Sequence, residues 1–433
     1  MAKSFSGRDT AALEALENDA LAPYAQRSAS ATRRYVLADT GRTLSYRTAF
    51  QRDRDRILHS LAFRRLKHKT QVYVPYEGDH HRTRLTHTLE VAQLARTMAR
   101  ALGLNEDLVE AVALGHDLGQ PPFGAAGRDT LAAILSGSDP VEGIDAGVLA
   151  ATGGFRPNYQ SLRVVDRLEQ RYDHPGLNLT DPVREGIWKR GPTNEDIRYP
   201  DWLEEGLRSG EPALLEGQVV ALADRLARLT HDLEDGIRAG QVSLHATERL
   251  EIGAAVAHKL GNSYETRPGR FARQNALIRG MIHLLVSDAI VAAAAALAED
   301  PETVREVVRL SPHAAAMAAE LEAFVEAQVY RSFAVARLEA RARTFLRGLF
   351  AGYWRDPLQL DDYVLLRYRT MTGGTYLREL PGDRVAAEVA TRYQGRPEFA
   401  RLIADHIGGM SDSFALKEYE RLYLPFAETE TRG

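Results

Sequence analysis

The sequence predicts an all-α protein with at most one small β-hairpin. Apolar residues recur every three or four positions in long segments of the 433-residue chain, which is the spacing of one helix face. Only one short segment alternates in the manner of a strand, and Gly- and Pro-containing breaks separate the helical segments. With 44% apolar residues, the chain can bury a large hydrophobic core.

Periodicity and capping residues locate the individual helices. The first spans Thr83–Leu102, places Leu85 on its apolar stripe and ends at Gly103. Asn105 is a suitable N-cap for a second helix, Glu106–Leu118, whose first turn is acidic. The other predicted helices are Tyr159–Tyr172, Glu216–Ala239, Thr247–Leu260, Arg270–Ala298, Pro312–Ala351, Asp383–Tyr393 and Pro397–His406.

The non-helical segments of the first half suggest a hairpin and a cleft. Thr70–Tyr76 is the alternating segment, and Glu77-Gly78-Asp79 would supply its turn. Breaks at Gly119–Gly127, Ser136–Gly154 and Asp173–Asp181 interrupt the helices. We expect these breaks to form the walls of a cleft.

We expect one globular unit built from three regions. Residues 1–44 would pack on the core as an N-terminal segment. Residues 45–240 would form the helical core that carries the functional site. Residues 241–433 would add C-terminal helices that complete the same unit, since we detect no internal repeat and no low-complexity linker.

The composition limits the chemistry that the chain can support. The formal net charge is −4, so no global basic field indicates a nucleic-acid partner. The chain has no cysteine, so any metal must be held by His, Asp and Glu. No apolar signal region follows Met1, and the longest apolar stretch, Asp288–Ala298, is too short to span a bilayer. We therefore expect a soluble cytoplasmic protein with no membrane partner.

His116-Asp117 is the most informative dipeptide of the chain. It ends an apolar helix and precedes a Gly- and Pro-containing break. An imidazole next to a carboxylate can hold a divalent metal, and the break would leave that metal facing an open loop. The dipeptide alone is weak evidence, because His231-Asp232 repeats it.

Two other predicted helices supply further candidate ligands. His87 lies on an apolar stripe, where a core histidine with a single hydrogen bond is the alternative interpretation. Asp224, Arg228 and Asp232 follow one another at four-residue spacing and share one face of Glu216–Ala239. A solvated charged stripe is the alternative there. The apolar residues around Asp224 favour instead a buried carboxylate, which needs a cation.

His87, His116, Asp117 and Asp224 thus form a candidate metal site of two imidazoles and two carboxylates. Such a set leaves coordination positions for water and for a phosphate oxygen. Mixed nitrogen and oxygen ligation suits manganese, magnesium, iron, nickel or zinc, among which we favour manganese or magnesium.

This pattern resembles the H…HD…D signature of HD-domain metal phosphohydrolases, and longer strings resemble the deoxynucleoside triphosphate triphosphohydrolase (dGTPase-like) family. The strings are Phe50–Leu66, Lys69–Val72, Gly78–His87, Gly115–Gly119, Asn158–Arg163, Ala223-Asp224 with His231–Gly236, and Gly409–Asp412. The match is dense over residues 45–240 and thinner over residues 405–425.

The resemblance implies an HD-domain helical core with additional C-terminal helices and a divalent metal on the four candidate ligands. It implies that a dNTP is the substrate or effector, with hydrolysis to deoxynucleoside and intact triphosphate. It also implies a homo-oligomer built from dimers, as a tetramer or hexamer. Arg84 matches the family's phosphate-contacting arginine, and Asp232 matches the residue that takes the sugar 3′-hydroxyl. Gln71 lies in the segment that approaches the sugar.

The sequence departs from the family at the catalytic positions, which are those of Asp117, Gln120, Ala125 and Arg128. Ala125 replaces the histidine that handles the proton, and Arg128 replaces the acidic residue that orients it. Gln120 stands where many members have histidine. Arg228 stands where tyrosine is usual, and it would either hold a phosphate or fill the pocket. Since alanine has no proton to give, we predict weak or absent triphosphohydrolase activity with nucleotide binding retained.

Several explanations of Ala125 stay open. The chain could be an engineered inactive variant, a natural homologue that uses another acid such as a water held by Gln120, or a non-catalytic dNTP sensor. An HD enzyme of another substrate class is a further alternative, against which the strings Phe50–Leu66 and Gly78–His87 argue. Arg52–Arg56 would allow contact with single-stranded nucleic acid, but its alternating charges more often form salt bridges, so that partner is not indicated.

Overall fold

The computed structural model describes residues 7–35, 46–71, 82–190, 207, 210–300 and 306–424. These residues form helices and connecting turns and contain no β-strand, so the all-α prediction is confirmed. Most of the expected hairpin, residues 72–81, lies outside the described residues. At its base, Thr70 and Thr83 form an isolated antiparallel bridge.

The α-helices are numbered in chain order. They are α1 Thr10–Ala20, α2 Ala49–Leu58, α3 Leu61–Arg65, α4 Arg84–Ala101, α5 Glu106–Gly115, α6 Gly124–Leu135, α7 Ala146–Ala150, α8 Pro157–Arg163, α9 Asp181–Lys189, α10 Leu215–Arg238, α11 Leu244–Glu248, α12 Glu251–Leu260, α13 Asn262–Glu265, α14 Gly269–Glu299, α15 Pro312–Val325, α16 Phe333–Arg355, α17 Asp362–Thr372, α18 Gly382–Glu388, α19 Pro397–Gly408 and α20 Asp412–Tyr423. π-helical turns at Val164–Leu168, Glu326–Tyr330 and Val389–Tyr393 extend α8, α15 and α18.

Several predicted helices need correction. The segment predicted as one helix over Pro312–Ala351 is two helices, because α15 ends in a π-helical turn and the Ser332 side chain then caps α16 by accepting from Val335 N–H. The predicted helix Thr247–Leu260 is likewise divided into α11 and α12. Short helices that we did not predict include α1, α2, α3, α7, α9, α17 and α20.

The predicted break at Gly119–Gly127 is shorter than expected, because α6 begins at Gly124. Gly127 lies inside this helix and does not end it. A Cβ atom there would come within 1.9 Å of the Pro122 carbonyl oxygen, so this glycine permits a close approach of two backbone segments.

Two hydrophobic cores hold the helices together. The larger is built mainly from α2, α4, α5, α9, α10, α12, α14 and α15. The second combines α6 and α7 with α16, α17, α19 and α20. It therefore joins chain segments more than 200 residues apart, and a hydrogen bond from Arg347 Nη1 to the Asp139 carbonyl oxygen connects the same two parts of the chain. The expected division into three regions stays a prediction.

The candidate site lies where three helices of the larger core meet. α4 and α5 form a helical hairpin through Gly103, whose φ of +68° suits glycine. α10 packs against both of them, and α9 packs against α5 and α10. Side chains from the facing surfaces of these helices are therefore brought together inside the protein.

α14 is longer than the apolar stretch seen in the sequence. Its 31 residues would be long and apolar enough to cross a membrane, which corrects the expectation drawn from Asp288–Ala298. Core helices of soluble proteins meet the same criterion, and every fourth residue from Leu277 to Ala293 is fully buried in the larger core. One stripe of α14 thus packs into the larger core, while about 33% of its most apolar part is buried.

The charge-alternating segment of α2 forms ion pairs within the protein. Arg54 lies within 3.6 Å of carboxylate oxygens of Asp55, Asp107 and Glu110. Arg56 donates a hydrogen bond to the Leu177 carbonyl oxygen. These contacts agree with the salt-bridge interpretation of the alternating charges and leave no exposed run of cations there.

Candidate active site

The four predicted metal ligands lie together at the junction of α4, α5 and α10. One ligand atom each from His87, His116 and Asp117 falls within 4.8 Å of the others, and all three residues are buried. Asp224 completes the set, because its Oδ1 lies 3.0 Å from His87 Nε2 and 3.6 Å from His116 Nε2. We call these four residues the metal quartet.

The contacts of His116 indicate that the quartet is built for a cation. Its Nδ1 lies 2.5 Å from the Ala113 carbonyl oxygen, which can only accept, so the proton resides on Nδ1. Its Nε2 is buried, has no hydrogen-bond partner among the described residues and faces carboxylate oxygens of Asp117 and Asp224. Although burial opposes the shift, the carboxylates of Asp117 and Asp224 raise the pKa of His116. The position of Nε2 therefore favours a positive charge, and the residues present fit a divalent metal.

Two arginines balance the carboxylates of the quartet. Arg84 Nη1 lies 2.7 Å from Asp117 Oδ2. Arg190, at the C-terminal end of α9, lies 3.1 Å from Asp117 Oδ1 and 2.6 Å from Asp224 Oδ2. Burial would raise the pKa of both carboxyl groups, but the neighbouring cations outweigh it and hold each pKa below its usual value. Both carboxylates are therefore ionised and able to bind a metal.

The quartet opens into a cleft of about 790 Å³ that also contains the predicted substrate-binding and catalytic residues. The cleft is lined by helices of the larger core, by the start of α6 and by the segment Glu322–Glu339. The predicted residues that line the cleft are Gln71, Arg84, His87, Asp117, Gln120, Ala125, Arg128, Asp224, Arg228 and Asp232. The remaining predicted ligand, His116, is buried behind them.

Asp232 lies in this cleft, two helical turns beyond Asp224. It is fully buried, and Tyr330 donates a short hydrogen bond to its Oδ2. Its Oδ1 has no hydrogen-bond partner among the described residues. Burial raises the pKa of Asp232 to about 7, although the hydrogen bond from Tyr330 opposes the shift.

The sequence matches two family models and several curated relatives. The HD domain model matches residues 84–229, and the phosphohydrolase-associated domain model matches residues 308–421. A deoxyguanosinetriphosphate triphosphohydrolase-like protein of Ralstonia pickettii (strain 12J) is 40% identical over 93% of this chain and 94% of the relative. Proteins of the same description from Nitrosomonas europaea and Caulobacter sp. (strain K31) are each 38% identical over 93% of this chain, and the matches cover 98% and 96% of those relatives.

The chain belongs to the deoxyguanosinetriphosphate triphosphohydrolase-like family. Its HD domain contains the whole metal quartet together with Arg84, whereas Asp232 lies three residues beyond the matched range. The phosphohydrolase-associated domain covers α16 and the segment that carries Tyr330. Residues of both matched segments line the cleft.

Three of the predicted catalytic positions, Gln120, Ala125 and Arg128, lie at or just before the first turns of α6 and line the cleft. Gln120 Nε2 donates to Asp117 Oδ1 over 3.3 Å. Ala125 lies in the first turn of α6 and offers no polar atom to the cleft beyond its backbone. One turn later, Arg128 forms a two-point contact with Asp129, whose carboxylate lies 2.7 Å from Arg128 Nε. A side chain able to donate a proton is thus missing from the Ala125 position.

The tertiary structure adds three residues that sequence reasoning missed. Arg190 reaches the quartet from α9, but a basic residue at a helix end carries no distinguishing signal in the sequence. Tyr330 falls within a segment that we predicted as continuous helix, and no sequence motif there indicates a functional residue. His231 contacts His87, with their Nδ1 atoms 3.2 Å apart, and the repeated His-Asp dipeptide could have drawn attention to it.

Proposed function

We propose that this dGTPase-like protein hydrolyses a dNTP to deoxynucleoside and triphosphate in a metal-dependent and slow reaction. One observation carries the proposal. The metal quartet, two arginines and the Asp232–Tyr330 pair line a single cleft that is large enough for a nucleotide. Such a cleft offers separate sites for a cation, for phosphate charge and for a sugar hydroxyl.

The charges around the quartet favour a phosphate ligand. The carboxylates of Asp117 and Asp224 are balanced by Arg84 and Arg190, so a bound divalent cation would leave the centre positively charged. Arg228 and Arg128 line the cleft nearby and add to the attraction of an anion. A bound metal, for which manganese or magnesium is our proposal, would act as a Lewis acid toward the phosphate.

The Asp232–Tyr330 pair is suited to the sugar. Asp232 Oδ2 already accepts from Tyr330, while the buried Oδ1 lacks a donor among the described residues. A buried acceptor without a donor is costly, so a hydroxyl group that donates to Oδ1 would be bound favourably. We propose that this hydroxyl is the 3′-hydroxyl of a deoxyribose.

The slow rate follows from Ala125. The departing 5′-oxygen of the sugar is a poor leaving group, and a positioned acid typically accelerates such a step by about 10²–10⁴-fold. Ala125 cannot donate a proton, and Arg128 is engaged with Asp129. We propose that a water molecule next to the Gln120 amide supplies the proton.

A dNTP-binding protein without turnover is the second candidate function, and it is favoured by the same two residues. Such a protein would bind the dNTP in the same cleft and with the same metal quartet, but it would form no product. Self-association into dimers, tetramers or hexamers and a cytoplasmic location also remain proposals.

The test is to incubate the purified chain with each dNTP in the presence of Mn²⁺ or Mg²⁺ and to measure free triphosphate and deoxynucleoside. We expect both products in equal amounts, and no product from His116→Ala, which serves as the control for contaminating phosphatases. If wild type gives no product at high protein concentration, the enzymatic proposal is wrong. Stabilisation against heat by a dNTP would then support the binding protein.

A further inference from the structure

A second histidine lies behind the metal quartet and contacts one of its ligands. His231 on α10 is buried, and its Nδ1 lies 3.2 Å from His87 Nδ1. Its other nitrogen, Nε2, lies 3.0 Å from Glu90 Oε2. Glu90 is further held by Arg82, whose Nε lies 2.9 Å from the same oxygen. These contacts form a chain from Arg82 through Glu90 and His231 to His87.

The chemistry of this chain determines where the protons lie. When a metal takes the lone pair of His87 Nε2, the one proton of that neutral imidazole stays on Nδ1. The facing Nδ1 of His231, 3.2 Å away, must then accept it. The proton of a neutral His231 consequently lies on Nε2, which faces Glu90 Oε2 at 3.0 Å.

The consequence reaches the metal quartet. With the proton on Nδ1, the lone pair of His87 Nε2 and the Oδ1 oxygen of Asp224, 3.0 Å apart, are both available to a cation, which removes the repulsion between them. That is the form of imidazole that binds a metal. The same orientation arises independently at His116, whose Nδ1 is held by the Ala113 carbonyl oxygen.

We propose that His231 and Glu90 form a positioning pair that fixes the tautomer and ring orientation of His87 for metal binding. Residues of this kind contact a ligand and not the metal, and their loss typically weakens metal binding by about 10–100-fold. The inference rests on the metal site of the proposed function and does not require that the protein turn over a substrate.

Substitutions at His231 test the role of its Nδ1 acceptor. We expect His231→Leu to bind Mn²⁺ about 10–100-fold more weakly than wild type in a chelator competition performed without nucleotide. His231→Gln retains an acceptor oxygen and should recover much of that loss. His245→Leu is the matched control, because His245 lies on the surface with 82% of its side chain exposed. Wild-type Mn²⁺ affinity in a folded His231→Leu would overturn the proposal, as would equal losses in the Leu and Gln variants.

Substitutions at Glu90 give a second test. They are less liable to cause misfolding than those at His231, because 44% of the Glu90 side chain is exposed. We expect Glu90→Leu to weaken Mn²⁺ binding and Glu90→Gln, whose amide oxygen still accepts, to stay closer to wild type. Equal affinities for the two variants would contradict the role of Glu90. A wild-type protein whose Mn²⁺ binding is unchanged by His116→Ala would instead disprove the metal site itself, so the two failures are distinguishable.

Discussion

The carboxylate of Asp412 accepts a hydrogen bond of 2.8 Å from the backbone N–H of Phe123, although the two residues are 289 positions apart. Asp412 begins α20, and Phe123 precedes α6 in the wall of the cleft. Phe123 has a φ of +62°, a left-handed conformation that is unfavourable for a bulky residue. Asp412 also accepts a hydrogen bond of 2.9 Å from the backbone N–H of Thr70. One buried carboxylate thus connects the loop that contains Thr70 and the loop that contains Phe123 to the start of α20.

Replacing Asp412 should therefore loosen the cleft. Asp412→Ala removes the acceptor for two backbone N–H groups and should lower the free energy of unfolding by about 2–5 kcal/mol, which urea denaturation would measure. Affinity for dNTP should fall as well, because Gln71 and Gln120 flank the released loops. Asp412→Asn, which keeps an acceptor oxygen, should lose less, and the exposed Asp383→Ala serves as control. Unchanged stability in Asp412→Ala would contradict this role.

The pKa of Asp232 predicts how stability depends on pH. Since burial raises this pKa to about 7, the folded protein binds the proton more tightly than the unfolded chain does. The contribution of Asp232 to stability is therefore greatest below about pH 4 and is lost as the pH rises through about 7. Asp232→Asn has no such titration, so its melting temperature should approach that of wild type at low pH and exceed it at pH 8. A difference between the two that does not change with pH would argue against the raised pKa.

Arg190 should affect metal and nucleotide in opposite directions. Its guanidinium group neutralises Asp117 and Asp224, so Arg190→Met leaves the quartet more negative. We expect Mn²⁺ to bind more tightly to this variant and dNTP to bind more weakly, each by about tenfold, since close charge pairs contribute at least a kilocalorie per mole. Isothermal titration with each ligand separately measures both. Arg100→Met, which removes an exposed ion pair with Glu106, is the control, and parallel changes in the two affinities would refute the assignment.

Restoring the missing acid should accelerate turnover. Ala125→His introduces an imidazole in the first turn of α6, and Ala125→His/Arg128→Glu adds a carboxylate one turn away that can orient it. We expect turnover to rise by at least about 10²-fold in the double variant and by less in the single one. Ala126→His, at a neighbouring position of the cleft, controls for a nonspecific effect of histidine. Triphosphate release that stays at the wild-type level in both variants would show that the slow rate has another cause.

Hydrophobic periodicity predicted α4 and α10, which carry His87 and Asp224, but the second predicted helix, Glu106–Leu118, ends at Gly115, so His116 and Asp117 follow α5. α4 and α10 begin and end within one residue of their predicted bounds, because their apolar stripes are long and end at clear caps or glycines. The ligand identities followed from residue chemistry, since a chain without cysteine has few groups that can hold a metal. Local signals failed where tertiary contacts dominate, as at Gly127, which was predicted as part of a break but lies inside α6 and permits the close approach of the Pro122 carbonyl oxygen.

The sequence by itself determined the all-α fold, the family and the residue types that can bind a metal, because these depend on composition and on spacing along single helices. Only the tertiary structure decided which other groups reach the site. Arg190, Tyr330 and Asp412 come from separate elements, and their positions depend on how helices pack, which no spacing within one segment encodes. The same holds for the contact between His231 and His87, which joins two helices and exists only in the folded protein.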